Sequence, residues 1–351
     1  MKVAIDISPL SSGHKYRGTG FYVQHLKDAL EKYFAKDNQF TFFTDKKGIP
    51  QDTQIVHYPY FDPFTFSLPL FPTIPTMMTV LDLKPIIFPK AFPGGVKGNM
   101  KWQMQKFALR HVSGIITDSD SAKHDIQEIV GIPDEKISVT YLAAGESFCR
   151  IKNQESRIKK MREKYHLPER FALYVGDVTW NKNLPRVVEA AIQAHIPLVM
   201  AGKALVNENF DLQNVWNADI VKVQRLAKDH NTIIRLGFVS DEDLVSLYNG
   251  ATIFIMPSLY EGFGLPILEA MACGCPVITS SEGSLPEVAG SAAEMVDAYD
   301  TIAIANGIQK VWSSEKLQKE LSIKGLAQAE KFSWEKTAKE TIAAYEKVAS
   351  R

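Results

Sequence analysis

The sequence predicts an α/β protein with two doubly wound parallel sheets. Three observations carry that prediction. Short apolar runs recur along the chain, each ending in glycine or polar residues and followed by a stretch with helical apolar spacing. The pattern starts twice, at Lys2–Ile7 and again at Phe171–Gly176, and each start opens a stretch of similar size. At 351 residues the chain is too long for one ordinary core, so two domains are expected.

Lys2–Ile7 (KVAIDI) reads as a strand buried on both faces. A polar loop, Ser8–Thr19, ends in Arg17-Gly18-Thr19-Gly20. A helix over Phe21–Tyr33 follows, with Tyr22, Leu26, Leu30 and Tyr33 on one stripe. This is a partial dinucleotide-type turn, because the third glycine position holds Val23. Phe40–Phe43 and Gln54–His57 read as short strands, with His57 packed and hydrogen-bonded at a strand end. Phe61–Pro75 is rich in proline and aromatics and reads as a surface loop. Its aromatics make peripheral contact with a lipid surface an expectation. Pro75–Leu83 and Ile115–Ser119 read as strands ending near Asp82, Asp118 and Ser119. Ligands bind at such ends of open parallel sheets, and helix caps also sit there. A helix near Ser121–Val130 and a strand at Lys136–Leu142 close this half.

Glu146–Pro168 is charged, partly helical, and reads as the junction. Phe171–Gly176 is the first strand of the second half. A loop, Asp177–Asn183, holds Lys182, and a helix covers Leu184–Ala194. Pro197–Gly202 and Ile233–Val239 repeat the strand-and-turn pattern. Asp241-Glu242-Asp243 reads as the start of a capped helix and not as a metal site. The last helix, Trp334–Val348, carries Ala338, Ile342, Tyr345 and Val348 on one stripe.

The densest chemistry lies in Pro257–Pro276 (PSLYEGFGLPILEAMACGCP). The apolar run Ala251–Met256 leads in as a buried strand. Gly262 and Gly264 allow close backbone approach, and Pro266 suits the first turn of a helix over Ile267–Cys273. Gly274 is placed to cap that helix, and Cys275–Thr279 is the next strand. A glycine loop opening a helix suits an anion such as a phosphate or diphosphate. Glu261 in the loop and Glu269 in the first helical turn are acceptors for sugar hydroxyls. Together these features point to a nucleotide diphosphate joined to a sugar. Lys182, just after a strand end, is the best cation for the leaving diphosphate.

Composition is ordinary, with 45% hydrophobic and 23% charged residues and no formal net charge. No global field favours nucleic acid. Cys149, Cys273 and Cys275 match neither a disulfide framework nor a zinc site, and read as small buried thiols. Met1-Lys2 runs directly into the first strand, and no apolar run reaches the ~18–20 residues needed to span a bilayer. The expectation is a cytoplasmic protein, at the inner membrane face where the aromatic loop touches lipid.

The run from Glu261 to Ile278 resembles the E-x7-E signature of the family 4 (group 1) retaining glycosyltransferases. Tyr174–Leu184 resembles that family's Y-V-G-x5-K-N-L segment, and Gly18-Thr19-Gly20 its N-terminal glycine loop. The resemblance implies the GT-B architecture: two Rossmann-like domains facing across a cleft. The expected boundaries are 1–165 for an acceptor-binding domain, 166–332 for a nucleotide-sugar-binding domain, and 333–351 for a helix crossing back onto the first. It also implies hexose transfer with retention, without metal or other cofactor. The donor would be of the GDP-mannose type or a UDP-sugar, and the acceptor a glycan or lipid-linked molecule of surface polysaccharide synthesis. The expected catalytic residues are Glu261, Lys182 and Asp82. The donor would meet Gly18, Gly20, Gly176, Asn181, Lys182, Phe238, Val239, Glu261, Gly262, Phe263, Gly264, Leu265 and Glu269. Two departures stand out: Leu81 replaces the family's usual histidine, and Asp177 and Asn181 stand where an arginine is common. They leave open a catalytically weak nucleotide-sugar-binding or regulatory protein, or a sugar-nucleotide epimerase, on the same fold.

Overall fold

The structure is a computed structural model that describes residues 1–13, 18–151, 155–207, 209, 211 and 214–350. Arg17 of the expected glycine turn lies outside the described residues. The chain divides into two compact units, Met1–Ala143 with Phe332–Arg351, and Ala144–Lys331.

The first unit contains β1 (Lys2–Asp6), β2 (Gln39–Phe43), β3 (Ile55–Tyr58), β4 (Thr76–Thr79), β5 (Gly114–Thr117) and β6 (Ile137–Val139). They form one parallel sheet in the order β2-β1-β3-β4-β5-β6. Its helices are α1 (Gly18–Phe34), α2 (Lys84–Ile87), α3 (Gly95–His111) and α4 (Asp120–Val130). The second unit contains β7 (Ala172–Val175), β8 (Leu198–Ala201), β9 (Ile233–Leu236), β10 (Ile253–Met256), β11 (Val277–Ser280) and β12 (Ala293–Val296). These are parallel in the order β12-β11-β10-β7-β8-β9. Helices α5 (Glu155–Tyr165), α6 (Leu184–Gln193), α7 (Ala218–Asp229) and α8 (Asp241–Gly250) precede β10. Helices α9 (Leu265–Ala272), α10 (Leu285–Ala289), α11 (Thr301–Trp312) and α12 (Glu315–Ala329) follow it, and α13 (Trp334–Ala349) returns to the first unit.

Both sheets are doubly wound, as the sequence predicts, but their orders differ. The first reverses direction between β1 and β3, in the flavodoxin-like manner. Counted from its own first strand, the second runs 3-2-1-4-5-6 and reverses between β7 and β10. Central strands are buried on both faces: β3, β4, β5, β8, β10 and β11 are buried throughout.

The units divide at 143/144, upstream of the expected 165/166. Helix α5 is bonded to α8, which is why the junction segment belongs to the second unit. Arg157 Nε donates to Ser246 Oγ at 2.9 Å, and Lys164 and Tyr165 both donate to Asp243 Oδ2, at 2.6 and 2.8 Å. On α13, the expected stripe of Ala338, Ile342, Tyr345 and Val348 is buried, against α1 and β5. His57 is fully buried and bonded at both ring nitrogens, to Tyr345 Oη (2.6 Å) and Thr79 Oγ1 (2.7 Å). Thr79 Oγ1 also meets Tyr22 Oη at 3.0 Å. This polar chain ties α13, β3, β4 and α1 together.

The expected α1 start shifts. The helix begins at Gly18, so both glycines of the turn lie in its first turn. Cys273 and Cys275 are buried thiols, but Cys149 is exposed. Among the described residues, no helix is long and apolar enough to cross a membrane.

Candidate active site

The carboxyl ends of β7 and β10 lie beside each other where the second sheet reverses direction, the usual ligand position in an open α/β sheet. Two loops leave these ends, and they are stitched together. Leu259 N–H donates to Asn181 O at 2.7 Å, and Asn181 Nδ2 donates to Tyr260 O at 3.0 Å. Asn183, at φ 57°, donates through Nδ2 to Pro257 O (3.0 Å) and Ala298 O (2.6 Å). Asn181 also accepts from Thr179 Oγ1 at 2.8 Å within its own loop and is fully buried, so one end of its side chain is fixed locally while the other ties the two loops together.

That stitching brings Lys182 to Glu261. The Lys182 ammonium lies 2.9 Å from Oε1 and 3.0 Å from Oε2, with side-chain exposures of 17% and 8%. A third loop supports Glu261 from behind. Ser284 Oγ donates to Glu261 O (3.0 Å) and Phe263 O (2.8 Å). Gly283 sits at φ 58°, where a Cβ would stand 2.7 Å from Glu261 O.

Helix α9 begins two residues before the expected Ile267, with Gly264 at its N-cap in the left-handed region (φ 96°). A Cβ there would meet Leu285 Cδ2 at 2.7 Å. Pro266 has no N–H, and Ile267 N–H is bonded to Gly264 O at 2.9 Å. Pro266 and Ile267 therefore offer no amide to an anion at this end. The helix closes as expected: Gly274 N–H bonds Met271 O and Cys275 N–H bonds Ala270 O, both at 2.9 Å.

The earlier start of α9 moves Glu269 from the expected first turn to the second. There it is 7% exposed and accepts from Tyr248 Oη at 2.9 Å. Burial pushes its carboxyl up to about 7; the Tyr248 bond opposes that rise and the Asp241 charge adds to it. Tyr248, on α8, was not foreseen, because it occupies an ordinary apolar position of an amphipathic helix.

The other expected donor residues belong to several elements of the two units. Gly176, at φ 150°, follows β7, and Phe238 (68% exposed) and half-buried Val239 follow β9. Gly262, Phe263 and Gly264 are buried in the loop beside Glu261, and Leu265 is half-buried. Gly18, Gly20 and Asp82 belong to the first unit. Asp82 is held locally, accepting from Lys84 N–H (3.1 Å) and pairing with Lys84 Nζ (3.2 Å). Arg186 donates to Asn183 Oδ1 at 2.8 Å and lines a recess of about 340 Å³ with Trp180, Glu189, Asp219 and Lys222.

Among the described residues, no group of three His, Cys, Asp or Glu side chains is placed to hold a metal ion. Ser240 caps α8, accepting from Asp243 N–H at 3.2 Å, so Asp241-Glu242-Asp243 is a helix start, as expected. A second Asp-x-Asp, Asp118-Ser119-Asp120, serves α4: Ser119 Oγ accepts from Ala122 N–H at 3.0 Å, and Asp120 accepts from Tyr141 Oη at 3.0 Å.

The family model for glycosyl transferases group 1 matches residues 153–328, half of the chain. This chain belongs to that family. The match includes Lys182, Glu261 and Glu269, whereas Gly18, Gly20 and Asp82 fall outside it. Serotype-specific mannosyltransferase WbdA of Escherichia coli is 32% identical over 290 residues, 79% of this chain and 34% of that protein. O-antigen chain mannosyltransferase B of Escherichia coli is 35% identical over 240 residues, 66% of this chain and 60% of that protein. The chain thus spans about a third of the length of the first relative and under two thirds of the second. Sucrose-phosphate synthase from Thermosynechococcus elongatus superposes with a TM-score of 0.73 at 18% identity, over 99% of this chain and 98% of that one. Anabaena Alr3699/HepE in complex with UDP and glucose gives 0.74 at 15% identity, over 99% of each chain. These two structures share the fold.

Proposed function

We propose that this protein is a retaining glycosyltransferase that moves a hexose from a nucleotide diphosphate sugar to a glycan or lipid-linked acceptor in surface polysaccharide synthesis. The observation that carries the reading is the Lys182–Glu261 pair at the sheet's reversal point, beside the N-terminus of α9. Each charge of this pair compensates the other. A bound donor replaces that arrangement: Lys182 and the amides of α9 meet the diphosphate, and Glu261 accepts from sugar hydroxyls. As the bond from C1 to the diphosphate breaks, the leaving group keeps the electron pair. The fixed cation and amide dipoles then stabilise the charge that develops, so a metal is not required. Glu269 holds the ribose, and Gly237-Phe238-Val239 meets the base through its backbone. The first unit takes the acceptor. Retention is part of this proposal and is supported by the resemblance of the Glu261–Ile278 run to the E-x7-E signature.

A mannose donor is the first choice, supported by the two mannosyltransferase relatives at 32% and 35% identity. A thermal-shift panel of UDP, GDP, ADP and their common sugar conjugates, on wild type and Glu269→Ala, tests the site. A ligand at a hundredfold excess over Kd stabilises the folded state by about 2.7 kcal/mol. A shift with GDP and GDP-mannose, lost in the variant, is the expected result. A shift with another base reassigns the donor. No shift with any nucleotide overturns the reading in favour of a protein without transferase activity. Incubation with GDP-mannose and no acceptor separates the epimerase alternative, which would change the sugar without transferring it.

A further inference from the structure

Helix α3 of the first unit is apolar on both sides, and only one side is covered among the described residues. Gly98, Trp102, Gln105, Ala108 and Leu109 face inward and are buried. Opposite them, Val96, Met100, Met104 and Phe107 are 80%, 65%, 41% and 46% exposed. At about 100° per residue these four fall within roughly 80° of arc, so they form one stripe.

The loop over Phe61–Pro75 extends that stripe. Phe71, 76% exposed, sets its ring edge-on to Phe107 at 6.1 Å. Phe66, 59% exposed, lies under Lys101 Nζ at 5.8 Å from its centroid. The loop is fixed from beneath. Fully buried Gln105 accepts from Ser67 and Leu68 N–H at 3.2 and 3.1 Å and donates to Leu68 O at 3.3 Å. The aromatic rings are therefore presented by a built support.

The charge along the helix is of one sign, and the single carboxylate of the loop, Asp62, accepts from Phe64 N–H at 2.7 Å and Tyr60 Oη at 3.2 Å. Between Asp82 and Asp118 the chain carries Lys84, Lys90, Lys97, Lys101, Lys106 and Arg110 and no acidic residue, although the whole chain is neutral. By helical position, Lys97 and Lys101 border the stripe on one side and Lys106 on the other. An apolar stripe between lysine borders, with no carboxylate on the helix, matches a helix lying in the headgroup region of an anionic bilayer. Its rings and methionines enter the acyl boundary while lysine stems reach back to the phosphates.

We propose that α3 and the 61–75 loop form a docking face for an anionic lipid bilayer. This does not depend on the transferase reading, since lipid binding needs no turnover. The test is co-sedimentation of the full chain with vesicles of phosphatidylcholine alone or of equimolar phosphatidylcholine and phosphatidylglycerol. Wild type is expected to bind the mixed vesicles, less so as salt rises, and to bind the neutral ones weakly. Phe71→Ser combined with Met100→Ser is expected to reduce binding at least about tenfold. Lys97→Gln, Lys101→Gln and Lys106→Gln together are expected to remove the salt dependence. All these side chains lie at the surface, and circular dichroism checks that the fold is kept. In an independent variant, Phe71→Trp, emission is expected to shift to the blue on adding mixed vesicles. Absence of binding to either vesicle, binding unaffected by the serine pair, or an unshifted Phe71→Trp spectrum overturns the proposal. So does a dimer in sedimentation velocity that Phe71→Ser abolishes, which would assign the face to a second copy of the chain.

Discussion

Glu269 is the residue at which stability and binding oppose each other. Its folded carboxyl titrates at about 7 against an ordinary value of 4.5. Between those values the folded chain holds a proton that the unfolded chain has released, so stability falls as pH rises through that window. Glu269→Gln keeps an acceptor for Tyr248 and removes the charge. At pH 8, without nucleotide, this variant should be more stable than wild type by about 1–3 kcal/mol, and the two should converge as pH falls towards 4.5. Thermal denaturation across pH checks this. The proposed ribose contact needs the ionised form, so wild-type nucleotide affinity should rise with pH through about 7 and stay flat in the variant. Calorimetric titration reads that difference. The Lys182–Glu261 pair gives a second residue-level expectation. Lys182→Met and Glu261→Gln should each destabilise by about 1–3 kcal/mol, and the double variant by less than the sum, measured by urea denaturation. The reason is that each single change leaves a buried charge without its partner.

At the scale of the element, the loop carrying Glu261 is positioned by the turn behind it. Gly283 stands where a Cβ would press on backbone rather than on a movable side chain. Gly283→Ala should cost about 1–3 kcal/mol and displace Glu261. Nucleotide-sugar binding should weaken while the far-ultraviolet spectrum stays native; unchanged affinity would show that the turn does not set the site. Helix α9 depends on such supports because it is only eight residues long. Its position comes from tertiary bonds more than from helix propensity.

At the scale of the whole molecule, the chain passes from one compact unit to the other at 143/144 and back at 331/332. Each unit has its own core, so unfolding need not be two-state. One buried group in each unit also responds to pH in the opposite sense to the other. Burial holds His57 of the first unit down at about 3, against an ordinary 6.5. Between these values the unfolded chain binds a proton that the folded chain refuses, so this contribution falls as pH drops through that window. Glu269 of the second unit gains stability over part of the same range. Calorimetric scans at pH 8 and pH 5 should therefore show the first unit's transition moving down on the acid side. A nucleotide should raise only the other transition. Tyr345→Phe, which removes the hydroxyl bonded to His57, should lower the first unit's transition by an amount equivalent to about 1–3 kcal/mol and leave nucleotide binding unchanged.

Much of this was legible in the sequence, because it is written in local patterns. Apolar runs with glycine ends gave the strands, helical spacing gave the buried stripe of α13, and glycine, proline and carboxylate spacing marked Glu261, Glu269 and the start of α9. Turn and cap chemistry is a property of a few adjacent residues, so it can be read without neighbours. Tertiary structure alone decided the rest. The two halves carry the same local signals yet order their strands differently, since strand order is settled by packing across the sheet. The junction helix α5 joined the second unit through bonds to α8, some eighty positions away in sequence. Lys182 meets Glu261 across a separation of 79 residues, and Asn181, expected at the donor, serves the stitching that makes this meeting possible. The raised Glu269 carboxyl depends on burial beneath α8. Burial, pairing and charge compensation are sums over distant parts of the chain, and only the folded molecule performs them.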